Sequence, residues 1–274
     1  MGISRQAYYK RDRAYRSRLE QDQKLIKFVH EIRLRQPCIG TRKLHSMMHA
    51  KRERQELHVG RDRLFDVLRD HRQLVRRKRA YHKTTDSHHR FRCHPNLLKP
   101  GPHQVIATGP EQVWVADITY LRFGTRFFYL AVILDAYSRA VRGWALSRSL
   151  SQELTLNALK MALVGGKPMI FHSDQGSQYA AWLHTDMLDA AGIRISMSDK
   201  GKPTQNGIAE RFMRTLKEEH VAYADYADFT DAQRQIGTWL EVEYNTQRIH
   251  SALNYATPTE FETKTAQTSS SPSV

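Results

Sequence analysis

Between Val113 and Leu146 the chain carries three strand-like runs in succession, with no helical period between them. Val113–Leu121 is the first, Phe127–Asp135 is an almost unbroken apolar run, and Ala140–Leu146 follows after Tyr137-Ser138-Arg139. Only then does a helical pattern appear, over Ser151–Val164, with Leu154, Leu156, Leu159, Met161 and Leu163 available for packing and Gly165-Gly166 as its stop. Pro168–Ser173 reads as a fourth strand, Tyr179–Ala191 as a helix ended by Gly192, and Ile193–Met197 as a fifth strand. The polar loop S-D-K-G-K-P-T-Q-N-G leads into helices at about 207–222 and 230–246. Three consecutive strands followed by alternating helix and strand predict a mixed α/β five-stranded sheet with flanking helices.

The front of the chain is of another kind. Residues 1–100 hold 27 Lys and Arg against 10 Asp and Glu, while the other 174 hold 16 against 18. The first segment therefore supplies the entire +15 net charge, as expected of a nucleic-acid-binding part joined to a part with another task. Residues 1–20 are polar and basic without a steady period. Leu25, Ile26, Val29, Ile32 and Leu34 predict an amphipathic helix over 21–36, stopped by Pro37 and Gly40. Thr41 is placed to cap a second helix with Leu44, Met47 and Met48, and Gly60 precedes a third with Leu64, Phe65, Val67 and Leu68. A small basic all-α domain, helix-turn-helix-like, is expected over 21–80, although the connection from about Ala50 to Gly60 exceeds a tight turn and no recognition helix is assigned. Arg76, Arg77, Lys78 and Arg79 form a dense run suited to tracking phosphates. His88, His89, Cys93 and His94 match no closed zinc spacing, so 81–104 reads as a basic linker.

Cys38 and Cys93 are the only cysteines, which excludes a disulfide scaffold and fits a reducing compartment. No long apolar window and no secretory leader are expected, and the low-complexity end, 263–274, is expected to be disordered.

Three carboxylates stand out. Asp117 lies on the first strand in W-V-A-D-I-T-Y, Asp174 ends the fourth in I-F-H-S-D-Q-G-S-Q-Y, and Glu210 sits early in the helix after N-G. Neighbouring first and fourth strands would let the aspartates converge, and a helix packed beside them would add the glutamate. Such a group suits two Mg²⁺ ions, which prefer hard oxygen ligands and assist both the attacking and the leaving oxygen of phosphodiester transfer. Arg214 and Lys217, four and seven residues after Glu210, share its helix face and suit a DNA strand whose phosphate enters the metals. Asp135 is read as ordering the D-A-Y-S-R turn, His172 as a buried supporting residue and Trp114 as packing. Gln205 and Asn206 are open between DNA contact and shaping the helix start. Asp199 and Lys200 receive no role.

In these residues the chain resembles the integrase-like (DDE) transposases of bacterial insertion sequences, the product of the second reading frame (OrfB type). W-V-A-D-I-T-Y-L, F-F-Y-L-A-V-I-L-D-A-Y-S-R and F-H-S-D-Q-G-S-Q-Y match the catalytic core, and S-D-K-G-K-P-T-Q-N-G-I-A-E-R-F matches the segment around its glutamate. Y-N-T-Q-R-I-H-S-A-L-N-Y-A-T-P-T-E-F matches the signature after the core, while G-I-S-R-Q-A-Y-Y, I-G-T-R-K-L and H-P-N-L-L match the front. The resemblance implies a ribonuclease-H-like fold over 105–222, a C-terminal helical extension over 223–262, and a catalytic and metal-binding triad at Asp117, Asp174 and Glu210. It places Lys217 against the element's end. It also implies 3′-end cleavage and strand transfer without a covalent protein–DNA intermediate, with two Mg²⁺ (or Mn²⁺) ions as cofactors.

The partners so implied are element-end and target DNA and further copies of the chain on that DNA. The product of an upstream frame is another, fused by frameshifting. The place of action would be the bacterial cytoplasm, at the nucleoid. Two rivals are a DNA-binding regulator with a decayed core and a ribonuclease-H-like nuclease that cuts without joining.

Overall fold

The computed structural model describes residues 4–50, 59–75, 93–123 and 126–270, and the chain divides into two compact units, 1–80 and 81–274. The run Arg76–Arg79 and the histidines His88 and His89 lie outside the described residues. Cys93 is an exposed cysteine.

The first unit contains α1 (Arg5–Arg33), α2 (Thr41–Ala50) and α3 (Arg61–Asp70). Leu25 and Val29 of α1, Leu44 of α2, and Leu64 and Leu68 of α3 form its apolar centre, and Arg63 donates to Asp22 at 2.7 Å. α2 begins at Thr41 itself, with the Gly40 carbonyl accepting from Lys43 and Leu44. α1 is far longer than the helix expected over 21–36. Apolar periodicity marks only the stretch that packs. Residues 5–20 lack it but hold five Arg and two Ala beside Gln6, Lys10, Leu19 and Glu20, all of which favour helix, and the Ser4 hydroxyl caps the start by accepting from the Ala7 N–H.

The second unit is built on five strands: β1 (Val113–Phe123), β2 (Arg126–Asp135), β3 (Val141–Ser147), β4 (Ile170–Ser173) and β5 (Arg194–Met197). Their order is β3-β2-β1-β4-β5. β1, β2 and β3 pair antiparallel, and β1, β4 and β5 pair parallel. This is the mixed five-stranded sheet expected, and its topology is ribonuclease-H-like. Alternation along β1 sends Val113, Val115 and Leu121 to one layer and Trp114 and Ala116 to the other. β2 alternates in the same way and is covered on both faces, which explains its unbroken apolar sequence.

On the second face lie α4 (Gln152–Gly165), α5 (Ser177–Ala180) and α6 (Trp182–Ala190). One helix was expected over Tyr179–Ala191; the extended backbone of Ala181 divides it in two. α4 lies so close to β3 that a Cβ on Gly143 would fall 2.3 Å from the Ala158 carbonyl oxygen. On the first face lies α7 (Gly207–Leu216), entered through a 3₁₀ turn at Pro203–Asn206 and continued by a π-helical turn at Lys217–Val221. Next comes α8 (Phe229–Thr238), continued by a π-helical segment, Trp239–Gln247. Phe212, Trp239, Leu240 and Tyr244 join the β1 and β2 residues in one apolar layer.

The last helix, α9, spans Pro258–Ser270, where disorder was expected from 263. Its start is organised: Thr257 and Glu260 cap each other reciprocally, and Thr259 donates to the Asn245 carbonyl. Thr263, Thr265 and Thr268 then bond back to carbonyls four residues earlier, a local satisfaction that composition does not reveal.

Candidate active site

The site grows from the meeting of β1 and β4. Their last paired residues are Val115 and His172. Asp117 and Asp174 each stand two residues further on: Asp174 directly follows β4, and Asp117 is mid-strand in β1, just past the end of their parallel pairing, on the side where parallel strands of an open α/β sheet present ligand-binding groups. Asp117 has the parity of Val113 and Val115, so it faces the layer that contains α7.

The Asp174 turn is tight. Its Oδ1 accepts the Gly176 N–H at 3.0 Å, and a Cβ on Gly176 would lie 2.9 Å from that oxygen. A side chain there would push the carboxylate aside. Glu210 is carried in the first turn of α7, whose buried face is Ala209, Phe212, Met213 and Leu216. Glu210, Arg214 and Lys217 occupy the complementary face, as their spacing predicts.

Electrostatics brings these residues together. Asp117 keeps some exposed surface, yet its carboxyl group is enclosed by protein. Its pKa is pushed up to about 8, first by loss of hydration and then by the charge of Asp174. The Ile118 N–H opposes this, Glu210 adds to it, and Lys217 opposes it. Glu210 is also raised, by burial and then by Asp174, with Arg214 opposing. Burial lowers Lys217, and the Asp117 charge holds it up. Asp117 therefore feels two carboxylates and one ammonium at once. Among the described residues no three His, Cys, Asp or Glu side chains are already drawn into a closed ligand set. The donor chemistry still fits a hard divalent ion: carboxylate oxygens only, one of them destabilised as an anion by burial and by its own neighbours.

The supporting residues are equally specific. The Asn206 Nδ2 donates to the Ala116 carbonyl oxygen at 2.9 Å, one residue before Asp117. The Gln205 Oε1 accepts from the Asp199 N–H at 2.6 Å and from Asn96 at 2.8 Å, and Lys99 bonds Asp199 at 2.8 Å. Gln205 and Asn206 thus shape the entry to α7, and Asp199 organises its loop. His172 is fully buried between the Ser196 and Ser198 hydroxyls, at 2.8 and 3.1 Å, with its pKa lowered to about 4 by burial. Trp114 is fully buried in the sheet and takes no part at the surface. Asp135 is a turn residue: it accepts from the N–H groups of Tyr137, Ser138 and Glu111 at 2.7–2.8 Å.

Sequence reading missed Tyr179. This side chain is 2 % exposed, and its hydroxyl has no hydrogen-bond partner among the described residues. Burial raises its pKa well above the ordinary value, and the charges of Asp117 and Asp174 raise it further, so the phenol is within electrostatic reach of both aspartates. The signal was its place five residues after Asp174, inside a motif already singled out.

A ribonuclease-H-like sheet with one acidic side chain on its central strand, just past the pairing with β4, and another directly after β4 defines an integrase-type core. Integrase core domain models match residues 107–203 and 191–258. The chain is 36 % identical over 270 residues to the insertion element IS600 uncharacterized 31 kDa protein of Shigella sonnei, covering 96 % of each. It is 37 % identical over 172 residues to the transposase for insertion sequence element IS904 of Lactococcus lactis, covering 61 % of this chain and 66 % of that one. Transposase InsF for insertion sequence IS3A of Escherichia coli is 36 % identical over 172 residues, covering 62 % and 59 %. The chain belongs to the integrase-core transposases of insertion sequences.

Among solved structures, the bovine immunodeficiency virus (BIV) integrase catalytic core aligns with a TM-score of 0.47 at 19 % identity, over 59 % of this chain and 99 % of that one. The HTLV-2 integrase catalytic core in complex with magnesium aligns with a TM-score of 0.44 at 17 % identity, over 57 % and 99 %.

Proposed function

We propose that this transposase cuts DNA at an element end and joins the exposed 3′ hydroxyl to a second phosphodiester, with Asp117, Asp174 and Glu210 as its catalytic triad. The observation that supports this reading is the coupling of Asp117, on β1 beside the end of β4, to Asp174, Glu210 and Lys217. The three carboxylates would hold two Mg²⁺ (or Mn²⁺) ions. Such ions supply stabilisation of the attacking and leaving oxygens. Lys217 and Arg214 then meet the phosphates flanking the scissile bond, on the same face of α7 as Glu210. First a water oxygen attacks phosphorus and the 3′ oxygen leaves. The freed 3′ hydroxyl then attacks a new phosphodiester and displaces its 3′ oxygen. No serine or tyrosine nucleophile enters either step.

In this reading residues 21–80 form the DNA-binding domain, with Arg76, Arg77, Lys78 and Arg79 on the backbone. Residues 81–104 link it to the core at 105–222, and 223–262 form the C-terminal extension. The enzyme works at the bacterial nucleoid, as an oligomer on element ends and target, and the product of an upstream frame can be fused to it. No described helix is long and apolar enough to cross a membrane.

The test is strand transfer in Mg²⁺ on the flanking end sequences, with the chain alone and fused to its upstream frame, beside Glu210→Gln. Joined products that vanish in the variant support the reading. Nicks without joining would move it to a nuclease. Specific binding without chemistry in either form would favour a regulator with a decayed core.

A further inference from the structure

Among the described residues, the first half of α1 takes no part in the apolar core of its own unit. Residues 4–21 are exposed, except for the half-buried Asp12, and the first core contact is at Leu25. Fifteen helical residues from Arg5 to Leu19 therefore extend roughly 22 Å beyond the packed part of the helix. Over that length Arg5, Lys10, Arg11, Arg13, Arg16 and Arg18 face one acidic residue, Asp12, for a net +5. Asp12 is engaged with Arg16 at 3.0 Å. Tyr8, Tyr9 and Tyr15 are each more than 60 % exposed. Tyrosines left in water on a helix that covers nothing, among cations distributed around its circumference, call for a partner that is both anionic and groove-shaped.

We propose that the Arg5–Leu19 half of α1 is an arm that docks along a groove of duplex DNA. A helix fits the width of the major groove, and cations on its flanks reach the phosphates of both walls while its front meets base edges. The tyrosine hydroxyls can donate to phosphate oxygens, and their rings can pack on sugars. A second copy of the chain is the other occupant to weigh. Tyr8, Tyr15, Leu19 and Ile26 do share a heptad-like stripe, but Asp12 and Asp22 occupy the same stripe. Pairing two such helices would bury those carboxylates and set two +5 segments against each other. Charge complementarity favours DNA. The inference rests on the chain's being a transposase that acts on DNA, and not on which residues catalyse.

The test uses the full chain in EDTA, where metal-dependent cleavage and joining are blocked, so a failure of the catalytic reading leaves it untouched. Binding to a fluorescent DNA duplex is measured against salt for the native chain and for Arg11→Gln/Arg13→Gln/Arg18→Gln. These three side chains are exposed, so helicity and unfolding midpoint should hold. The slope of log K against log salt is expected to fall in magnitude by about 2–3, with about a tenfold or greater loss of affinity at moderate salt. Tyr8→Ala/Tyr15→Ala is expected to weaken binding at an unchanged slope. An arginine variant with native affinity and slope would overturn the proposal, as would a native chain without salt-dependent duplex binding. Sedimentation adds a third check: an oligomer dissolved by the arginine variant, with DNA binding unaltered, would make the arm a protein contact and overturn it as well.

Discussion

The amide of Asn206 donates to the carbonyl oxygen of Ala116, and this bond ties the start of α7 to the residue before Asp117. Glu210 and Asp117 sit on elements 93 positions apart in sequence, and this bond holds them in a common frame. Asn206→Ala is expected to cost about 1–3 kcal/mol, because the Ala116 carbonyl loses its buried donor. Single-turnover joining should fall by more than the loss of folded protein explains. Thermal unfolding beside the rate at saturating DNA separates the two, and a native rate per folded molecule would refute the linkage.

Tyr179→Phe removes a buried hydroxyl that has no hydrogen-bond partner among the described residues. Stability should hold or rise by about 1 kcal/mol, since an unsatisfied polar group disappears. Activity should fall, and the Mg²⁺ concentration needed for half-maximal joining should rise, because the phenol feels the charge of both aspartates. A more stable variant with native Mg²⁺ dependence would assign the hydroxyl no part in the site.

The raised pKa of Asp117, about 8, has a definite sign. The folded protein retains this proton to higher pH than the unfolded chain, so the group's stabilisation is full below its ordinary value of 3.8 and is lost as pH rises toward 8. His172 and His184, both lowered to about 4 by burial, act oppositely, but their stabilisation is lost only as pH falls below about 6.5. Between pH 6.5 and 8.5 the carboxylate dominates among these three. A divalent ion must displace its proton, so the upward shift of the unfolding midpoint by Mg²⁺ should grow across that window. It should be much smaller, and flat with pH, in Asp117→Asn. A shift of equal size in both proteins would break the connection.

The guanidinium of Arg248 meets Glu219 with two bonds of 2.6 and 2.8 Å, both side chains nearly buried. Glu219 lies in the π-helical turn that begins with Lys217, so the pair fixes the back of the turn whose front faces Asp117. Arg248→Ala should cost about 3–5 kcal/mol by stranding a buried carboxylate. Arg248→Lys should recover only part, because an ammonium does not reproduce the planar fork. Glu219→Gln/Arg248→Met should lose less than the single alanine change. Urea unfolding of the three variants decides this, and a lysine variant as stable as the native protein would contradict it.

Much of the fold was legible because local pattern and tertiary packing agree in it. The five strands and the helices between them follow from alternation, apolar runs and glycine stops, and Asp117 and Asp174 were visible as isolated carboxylates in apolar surroundings. Other features depend on what a pattern of hydrophobicity does not record. Residues 5–20 are helical by propensity and a serine cap, with no apolar stripe against a core. The break at Ala181 has no glycine or proline to announce it. Asp199 looked idle because two of its contacts, Lys99 and, through Gln205, Asn96, come from one segment about a hundred residues away. The Glu219–Arg248 pair spans 29 positions and two helices, so neither residue could name the other.

The shared apolar layer beneath α7 sets a limit on how the gene can be trimmed. Trp239, Leu240 and Tyr244 pack with Phe212 and with the sheet residues Val115 and Val132, and Asn245 bonds Val141 of β3 through both its amide nitrogen and its oxygen. A fragment ending at residue 222 would strip a wall from its own interior and leave the Glu210 helix resting on water. Any expression boundary for an autonomous core therefore belongs beyond the His250–Ala256 bridge. Insertions or tags placed between residues 222 and 256 would act on the interior of the enzyme and not on an appendage.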